Sequence, residues 1–336
     1  MAVPSLEQTE NLERLAQAPT GDFEVTREVG YYQLVWRRLR RHRPAMAGVV
    51  VLMFVALSCF IVPGFQLGPI TWNGFLTSDW NNPDLLHRFA APNWPHIMGT
   101  DELGRDIFYR VLKGGQISIL VGLGATVVTI FVGVSFGALS GYFGGFLDNL
   151  LMRITDAMLT VPSIFILILL SSGIKIELPI PFTSAKLGGL LPGQTPPLII
   201  LAIGIVAWPY TARIIRSVVL SVREKEFVEA ARAIGSGTPK ILIRHILPNA
   251  LGPIVVSATL TIGVAIITES ALSYLGLGIG PPIASWGSML FHAQEFIWEA
   301  AHYALFPGAM ILITVLCVNF IGDGLRDAFD PRSFER

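Results

Sequence analysis

The chain has 336 residues with 24 acidic and 24 basic side chains, so its net charge is zero. Hydrophobic residues make up 52% and charged residues only 14%, against about 25% charged in soluble domains, and the mean hydropathy is +0.59. These values exclude a soluble globular protein and leave no electrostatic footprint for nucleic acid.

Residues 1–30 are polar and acidic and read as a mobile tail. The first long apolar run begins only near Ala45, so no cleavable signal peptide is expected. Tyr31–Arg43 (YYQLVWRRLRRHR) interleaves aromatic and basic residues. Because a span follows at once, it reads as a juxtamembrane helix with its arginines on the cytoplasmic side. A span needs roughly 20 mostly apolar residues. Six runs qualify: Ala45–Phe65, Ile117–Leu139, Ile154–Leu170, Leu198–Arg213, Ile254–Ala271 and Tyr303–Ile321. The expected fold class is therefore an all-α integral membrane protein with six transmembrane helices and cytoplasmic N and C termini. Basic residues test that orientation. The tail, the 140–153 and 213–249 loops and the C-terminal tail hold 18 Lys and Arg, while 66–115, 172–197 and 276–302 hold 6. That asymmetry is the positive-inside pattern. The organisation read from it is a cytoplasmic segment 1–44, a first span 45–65, an external segment 66–116, a five-helix core 117–322 that includes the cytoplasmic loop 217–249, and a cytoplasmic tail 323–336.

The external segment contains GTDELGRD at Gly99–Asp106. Thr100 or Asp101 is expected to cap a helix that runs into the second span. Asp101 with Arg105, and Asp106 with Arg110, would be i,i+4 pairs on it. Ile107, Phe108, Val111 and Leu112 would form an apolar face at the membrane interface. In the second span, Gly133, Gly137 and Gly141 recur every fourth residue, a small-residue face for close helix packing. The GVSFG string there formally matches a nucleophile elbow around Ser135, but a mid-helix position lacks the strand–turn–helix context. Asp156 and Glu269 are the ionisable groups nearest apolar runs. Asp156 is expected to pair with Arg153 or a headgroup. Glu269 is a pathway candidate, with pairing near a helix end the equal alternative. Pro162 and Pro209 are expected to interrupt spans. Cys59 and Cys317 sit in apolar runs without metal or redox spacing and read as packing residues.

The cytoplasmic stretch Glu229–Asn249 reads EAARAIGSGTPKILIRHILPN, too polar to span a membrane. Phe227, Ala230, Ala231 and Ile234 fall at i, i+3, i+4 and i+7, the spacing of one helix face. Gly235 suits a left-handed helix end. Thr238 and Pro239 suit the N-cap and first turn of a second helix, and Pro248 precedes the next span. The two alanines would leave a flat surface for another protein.

This stretch resembles the EAA loop of ABC importer membrane subunits, in which Glu229, Ala230, Ala231, Gly235, Leu247 and Pro248 match in register. His245 stands where that family often has Ile. Gly99, Thr100, Asp101, Gly104, Arg105 and Asp106 match a motif of the C-type membrane subunit of dipeptide, oligopeptide and nickel importers. The resemblance covers about residues 31–330. It implies a type I ABC importer permease fold in a bacterial or archaeal cytoplasmic (inner) membrane, with peptides as cargo. It implies a second homologous permease subunit, one or two ABC ATPase subunits, an extracytoplasmic substrate-binding protein and surrounding lipid as partners. The ATPase would dock at the EAA loop, on Phe227, Glu229, Ala230, Ala231, Ile234, Gly235, Leu247 and Pro248.

None of the five lysines follows a glycine as a P-loop requires, so this chain cannot hold ATP in that manner. ATP and magnesium are expected on partner subunits. No catalytic residue, metal or cofactor is expected here. An ion-coupled secondary transporter is the leading alternative, but it would show charges in several spans and an internal repeat. A membrane hydrolase built on Ser135 and a passive scaffold are the others.

Overall fold

The structure is a computed structural model describing residues 31–67, 70–76, 78–171 and 194–330. The tail expectation for residues 1–30 and most of the 172–197 loop lie outside the described residues. Helix α1 (Tyr31–Arg41) carries the basic juxtamembrane sequence. The His42 side chain then caps α2 (Arg43–Ile61), its Nδ1 accepting from Ala45 N at 3.2 Å. A two-stranded antiparallel hairpin follows, β1 (Phe65–Leu67) and β2 (Ile70–Trp72), then two 3-10 turns, Ser78–Asn81 and Leu85–His87. Helix α3 runs from Ile107 to Phe143, 37 residues. At 1.5 Å per residue it is about 55 Å long, against a hydrocarbon core of roughly 30 Å. It is therefore longer than the hydrocarbon core is thick, and its N-terminal turns carry the lobe built from residues 62–106.

Helices α4 (Gly145–Thr160) and α5 (Ser163–Ser171) form a bent pair over the third apolar run, turned by 82°. Pro162 sits at the break, where it cannot continue the ladder and pushes Val161 into an extended conformation. Helix α6 (Pro196–Arg223) passes through Pro209 without interruption, contrary to the expectation that this proline breaks the fourth span. Pro209 is buried among neighbouring helices, and such packing stabilises a proline inside a span. The loop after α6 forms α7 (Glu226–Ala233), α8 (Thr238–Ile241), a π-helical turn Leu242–Ile246 and α9 (Leu247–Asn249). Helix α10 (Leu251–Tyr274) closes in a Schellman motif at Gly276, whose φ is +75°. There Leu277 N donates to Leu272 O at 2.9 Å and Gly276 N to Ser273 O at 3.0 Å. Helices α11 (Trp286–Ala293) and α12 (Ala301–Phe329) complete the chain. Among the described residues five helices are long and apolar enough to cross a membrane, and the bent α4–α5 pair brings the number to six if it crosses as one span.

The glycine face of α3 is turned to α6, the most extensively packed pair in the bundle. A Cβ on Gly137 would lie 2.6 Å from the Ala212 carbonyl and 2.9 Å from Ile215 Cβ. The backbones meet this closely only because no side chain stands between them. Asp148 of α4 adds a polar clamp to the same pair. Its two carboxylate oxygens accept Arg216 Nε and Nη2 of α6, each at 2.6 Å, and Ser140 Oγ donates at 2.7 Å.

Candidate functional site

The 224–250 loop folds back onto the C-terminal ends of α3 and α6. Val228 and Ala231 of α7 are buried in a cluster with Ala138, Ile215, Val219, Val222, Ile241 and Ile246. Arg232 lies over the Tyr142 ring at 5.9 Å, and Arg223 Nη1 donates to the Gly141 carbonyl at 2.9 Å. The first contact ties α7, and the second the end of α6, to the end of α3. The outward stripe is Phe227, Ala230 and Ile234, with Glu229 also exposed. Ile234 is 82% exposed and nearby Ile243 68%. This splits the expected face. Ala231 turns inward with Val228, one residue round the helix, because the larger β-branched neighbour seeks the core. Leu247 is half-buried against the same cluster, and Pro248 is exposed.

Gly235 takes φ +80°, as its place after the helix requires. Ser236 N donates to Ala231 O at 3.1 Å and Gly235 N to Arg232 O at 3.0 Å, a second Schellman motif. Helix α8 begins one residue earlier than the sequence suggests. Gly237 is the N-cap, Thr238 is the first helical residue, and the Thr238 side chain makes no cap bond. The π turn through His245 was not foreseen. It places Arg244 and His245 on the turn preceding α9.

At the other end, Gly99–Asp106 is a closed turn, not the start of a helix. Thr100 and Asp106 form a β-bridge, and Asp106 caps α3, its Oδ1 accepting from Tyr109 N at 2.8 Å. Neither Thr100 nor Asp101 is that cap. Thr100 Oγ1 accepts from Ala90 N at 2.8 Å and donates to the His87 carbonyl. Asp101, fully buried, accepts from Leu103 N and Arg105 N at 2.9 Å and from Arg105 Nε at 2.8 Å. Asp106 pairs with His96 Nδ1 at 2.9 Å, not with Arg110; Arg110 lies 3.3 Å from Asp101. Ile107, Val111 and Leu112 are buried inside the protein and do not face the interface. Nearby, the His87 ring and the Leu86 amide hold the exposed Asp84 carboxyl below the usual carboxylate range.

Glu269 is fully buried in a serine cradle. Ser273 Oγ donates to its Oε1 at 2.7 Å and Ser118 Oγ to its Oε2 at 3.1 Å. These bonds join α3 to α10. Asp156 pairs with Arg213 of α6 in place of Arg153. Ser135 Oγ donates to the Phe131 carbonyl within α3 and has no elbow geometry. Among the described residues no group of three or more His, Cys, Asp or Glu could hold a metal.

Six apolar spans around a short helix–turn–helix define a multi-pass membrane subunit of the ABC importer fold. The inward-facing methionine ABC transporter MetNI shares it, with a TM-score of 0.53 at 17% identity over 66% of this chain and 97% of that one. Residues 133–335 match the family described as "Binding-protein-dependent transport system inner membrane component". The chain belongs to that family, and residues 30–92 also match the "N-terminal TM domain of oligopeptide transport permease C". The oligopeptide transport system permease protein OppC of Bacillus subtilis is 36% identical over 324 residues, covering 96% of this chain and 97% of that protein. OppC of Haemophilus influenzae is 38% identical over 298 residues, covering 88% and 87%. A putative peptide permease protein of Brucella suis is 38% identical over 302 residues, covering 88% and 89%.

Proposed function

We propose that this chain is one of two homologous membrane subunits that together form the pathway of an ATP-driven importer of di- or oligopeptides. Its own residues carry no catalysis. One or two ABC ATPase subunits bind ATP and magnesium and dock on the cytoplasmic loop. An extracytoplasmic binding protein delivers the peptide to the outer face. The chain sits with both termini in the cytoplasm, an orientation supported by the distribution of 18 against 6 basic residues.

The observation that carries this reading is the split of α7. Val228 and Ala231 anchor the helix to α3 and α6, while Phe227, Ala230 and Ile234 lie open on the far side. A helix rigidly seated on two spans, with an unpartnered apolar stripe, can pass a push from a docked subunit directly to those spans. The 36–38% identity to proteins named as oligopeptide or peptide permeases supports the cargo class.

The test is reconstitution of the complete importer in proteoliposomes. Peptide accumulation should require ATP and a hydrolysis-competent ATPase subunit, and should survive a protonophore. Accumulation that a protonophore abolishes, and that an inactive ATPase leaves intact, would instead assign the chain to an ion-coupled transporter. Labelling of a cysteine at position 236 by an impermeant reagent in intact cells would overturn the orientation.

A further inference from the structure

A cleft of about 330 Å³ opens where the outer turns of α3 meet the segment before α11, between Asn81, Arg110, Lys113 and Gln116 on one side and Pro282 and Ile283 on the other. Residues 110, 113 and 117 are three and four apart, so one face of α3 supplies this wall. A second cavity of about 290 Å³ adjoins it across Asn81, Arg110, Pro282 and Ile283; that one is lined by Glu102 and Arg105 and is set apart from the cleft by its acid. The volume lies in the range of small-molecule sites.

The lining of the cleft itself carries two cations, Arg110 and Lys113, and the acids lie in the turn beyond it. Arg105 takes two of the three acids of the neighbouring turn, Asp101 at 2.8 Å and Glu102 at 3.1 Å, and the third, Asp106, pairs with His96 at 2.9 Å. Arg110, with only 8% of its side chain exposed, adds a second cation 3.3 Å from Asp101. Its Nη1 donates to Asn81 Oδ1 at 3.2 Å, while its Nε has no hydrogen-bond partner among the described residues. Lys113 is the cation left over. Its Nζ donates to the Gly64 carbonyl at 2.8 Å, a neutral acceptor, and no carboxylate pairs with it among the described residues. Gln116 donates to the Cys59 and Gly64 carbonyls, both at 2.7 Å. Those bonds pin the cleft wall to the outer end of α2 and hold Lys113 in place. No acidic side chain lines this cleft among the described residues. An ammonium partly withdrawn from water without a counter-charge is unfavourable, and an incoming anion relieves that cost.

We propose that this cleft receives a small oxyanion borne by the cargo, the terminal carboxylate of a peptide, with Lys113 as its charge partner and Arg110 behind it. Every linear peptide carries that group whatever its sequence, and the apolar wall of Pro282 and Ile283 suits the adjoining residue without selecting it. The proposal rests on the peptide-import reading. An acidic lipid headgroup carries similar oxyanion chemistry, and the test separates the two.

The complete importer is reconstituted in proteoliposomes of zwitterionic lipid, with and without phosphatidylglycerol. Uptake of trialanine and of its C-terminal amide is measured for wild type, Lys113→Gln and Lys113→Arg. Lys113→Gln should raise KM for the free acid about tenfold, leave KM for the amide unchanged, and do so in both lipids. Lys113→Arg should restore the preference. Because the binding protein is common to all arms, its own selectivity cancels in the comparison. Equal loss for both peptides, or wild-type KM for both, overturns the proposal. A loss confined to liposomes with phosphatidylglycerol assigns the cleft to a headgroup and overturns it as well. If wild type imports neither peptide, the peptide-import reading itself fails, and this proposal with it.

Discussion

Gly99–Asp106, at the end of the bundle proposed to be outer, and Glu226–Pro248, at the end proposed to be inner, are both polar segments flanked by apolar helices, and both contain a glycine at positive φ. The outer turn buries Thr100, Asp101 and Asp106 and directs their bonds into its own backbone and neighbours. The inner one buries Val228 and Ala231 and leaves Phe227, Ala230 and Ile234 open. The outer motif is therefore largely architecture: Thr100, Asp101 and Asp106 are bonded within the chain. The inner motif is half architecture and half surface, and only the surface half is free to meet a partner. A recurring string of residues does not say which of these it is; the burial of each side chain does.

The largest effects should come from the outer turn. Asp101→Ala removes the acceptor for two backbone amides and leaves Arg110 buried beside Arg105 without its carboxylate. Breaking a buried pair in this way costs about 3–5 kcal/mol. The expected outcome is a collapse of yield and thermal stability in detergent. Gly104→Ala should strike the same turn, because a Cβ there would run into the Asp84 carbonyl at φ +74°. Wild-type melting of either variant would show that the turn does not hold the outer lobe.

The next effect separates the two halves of α7. Ala231→Trp forces a large ring into the cluster of Val228, Ile241 and Ile246 and should lower stability by roughly 1–3 kcal/mol. Ala230→Trp faces open space, so stability should stay within about 0.5 kcal/mol of wild type. The docking assay should reverse that order of severity. Ala230→Trp, properly folded, should lose the ATPase in a pull-down. If Ala230→Trp binds the ATPase as wild type does, the outward stripe is not the docking face.

Much of this was legible in sequence, for identifiable reasons. Spans of about 20 apolar residues are strong signals, and each of the six runs falls within or overlaps a helix or bent pair. Gly235 was legible because it follows the last periodic residue of a helix. The inward side of α7 was not, since Ala230 and Ala231 are alike in size and only packing tells them apart. Val228 with Ala231, spaced i,i+3 and followed by Ile241 and Ile246, was the available signal. The cap of α3 was missed for a similar reason. Asp101 with Gly104 has the Asp-x-x-Gly form of a type I turn, and Gly104 N indeed donates to Asp101 O at 3.0 Å. That turn saturates Asp101 and leaves capping to Asp106. The bond from Asp148 to Arg216, 68 residues apart, had no local signature at all.

The smallest effect concerns Gly235, and it sharpens the comparison most. Its φ of +80° resembles the +74° of Gly104, yet a Cβ at Gly235 meets nothing within 4 Å. The two glycines are thus required for different reasons: Gly104 by conformation and crowding together, Gly235 by conformation alone. Placing an L-residue in that region costs about 1–2 kcal/mol. Gly235→Ala should therefore lower the melting point of the isolated chain by only a few degrees, given about 2–4 °C per kcal/mol for a domain of some 200 residues. If the conformational cost is the whole effect, ATPase association should weaken by no more than the same free energy. That can be measured by titrating the ATPase against wild type and Gly235→Ala in detergent. A much larger loss in the complex than in the chain alone would mean that a methyl group at 235 collides with the docked partner. The turn, and not just the stripe of α7, would then belong to the interface.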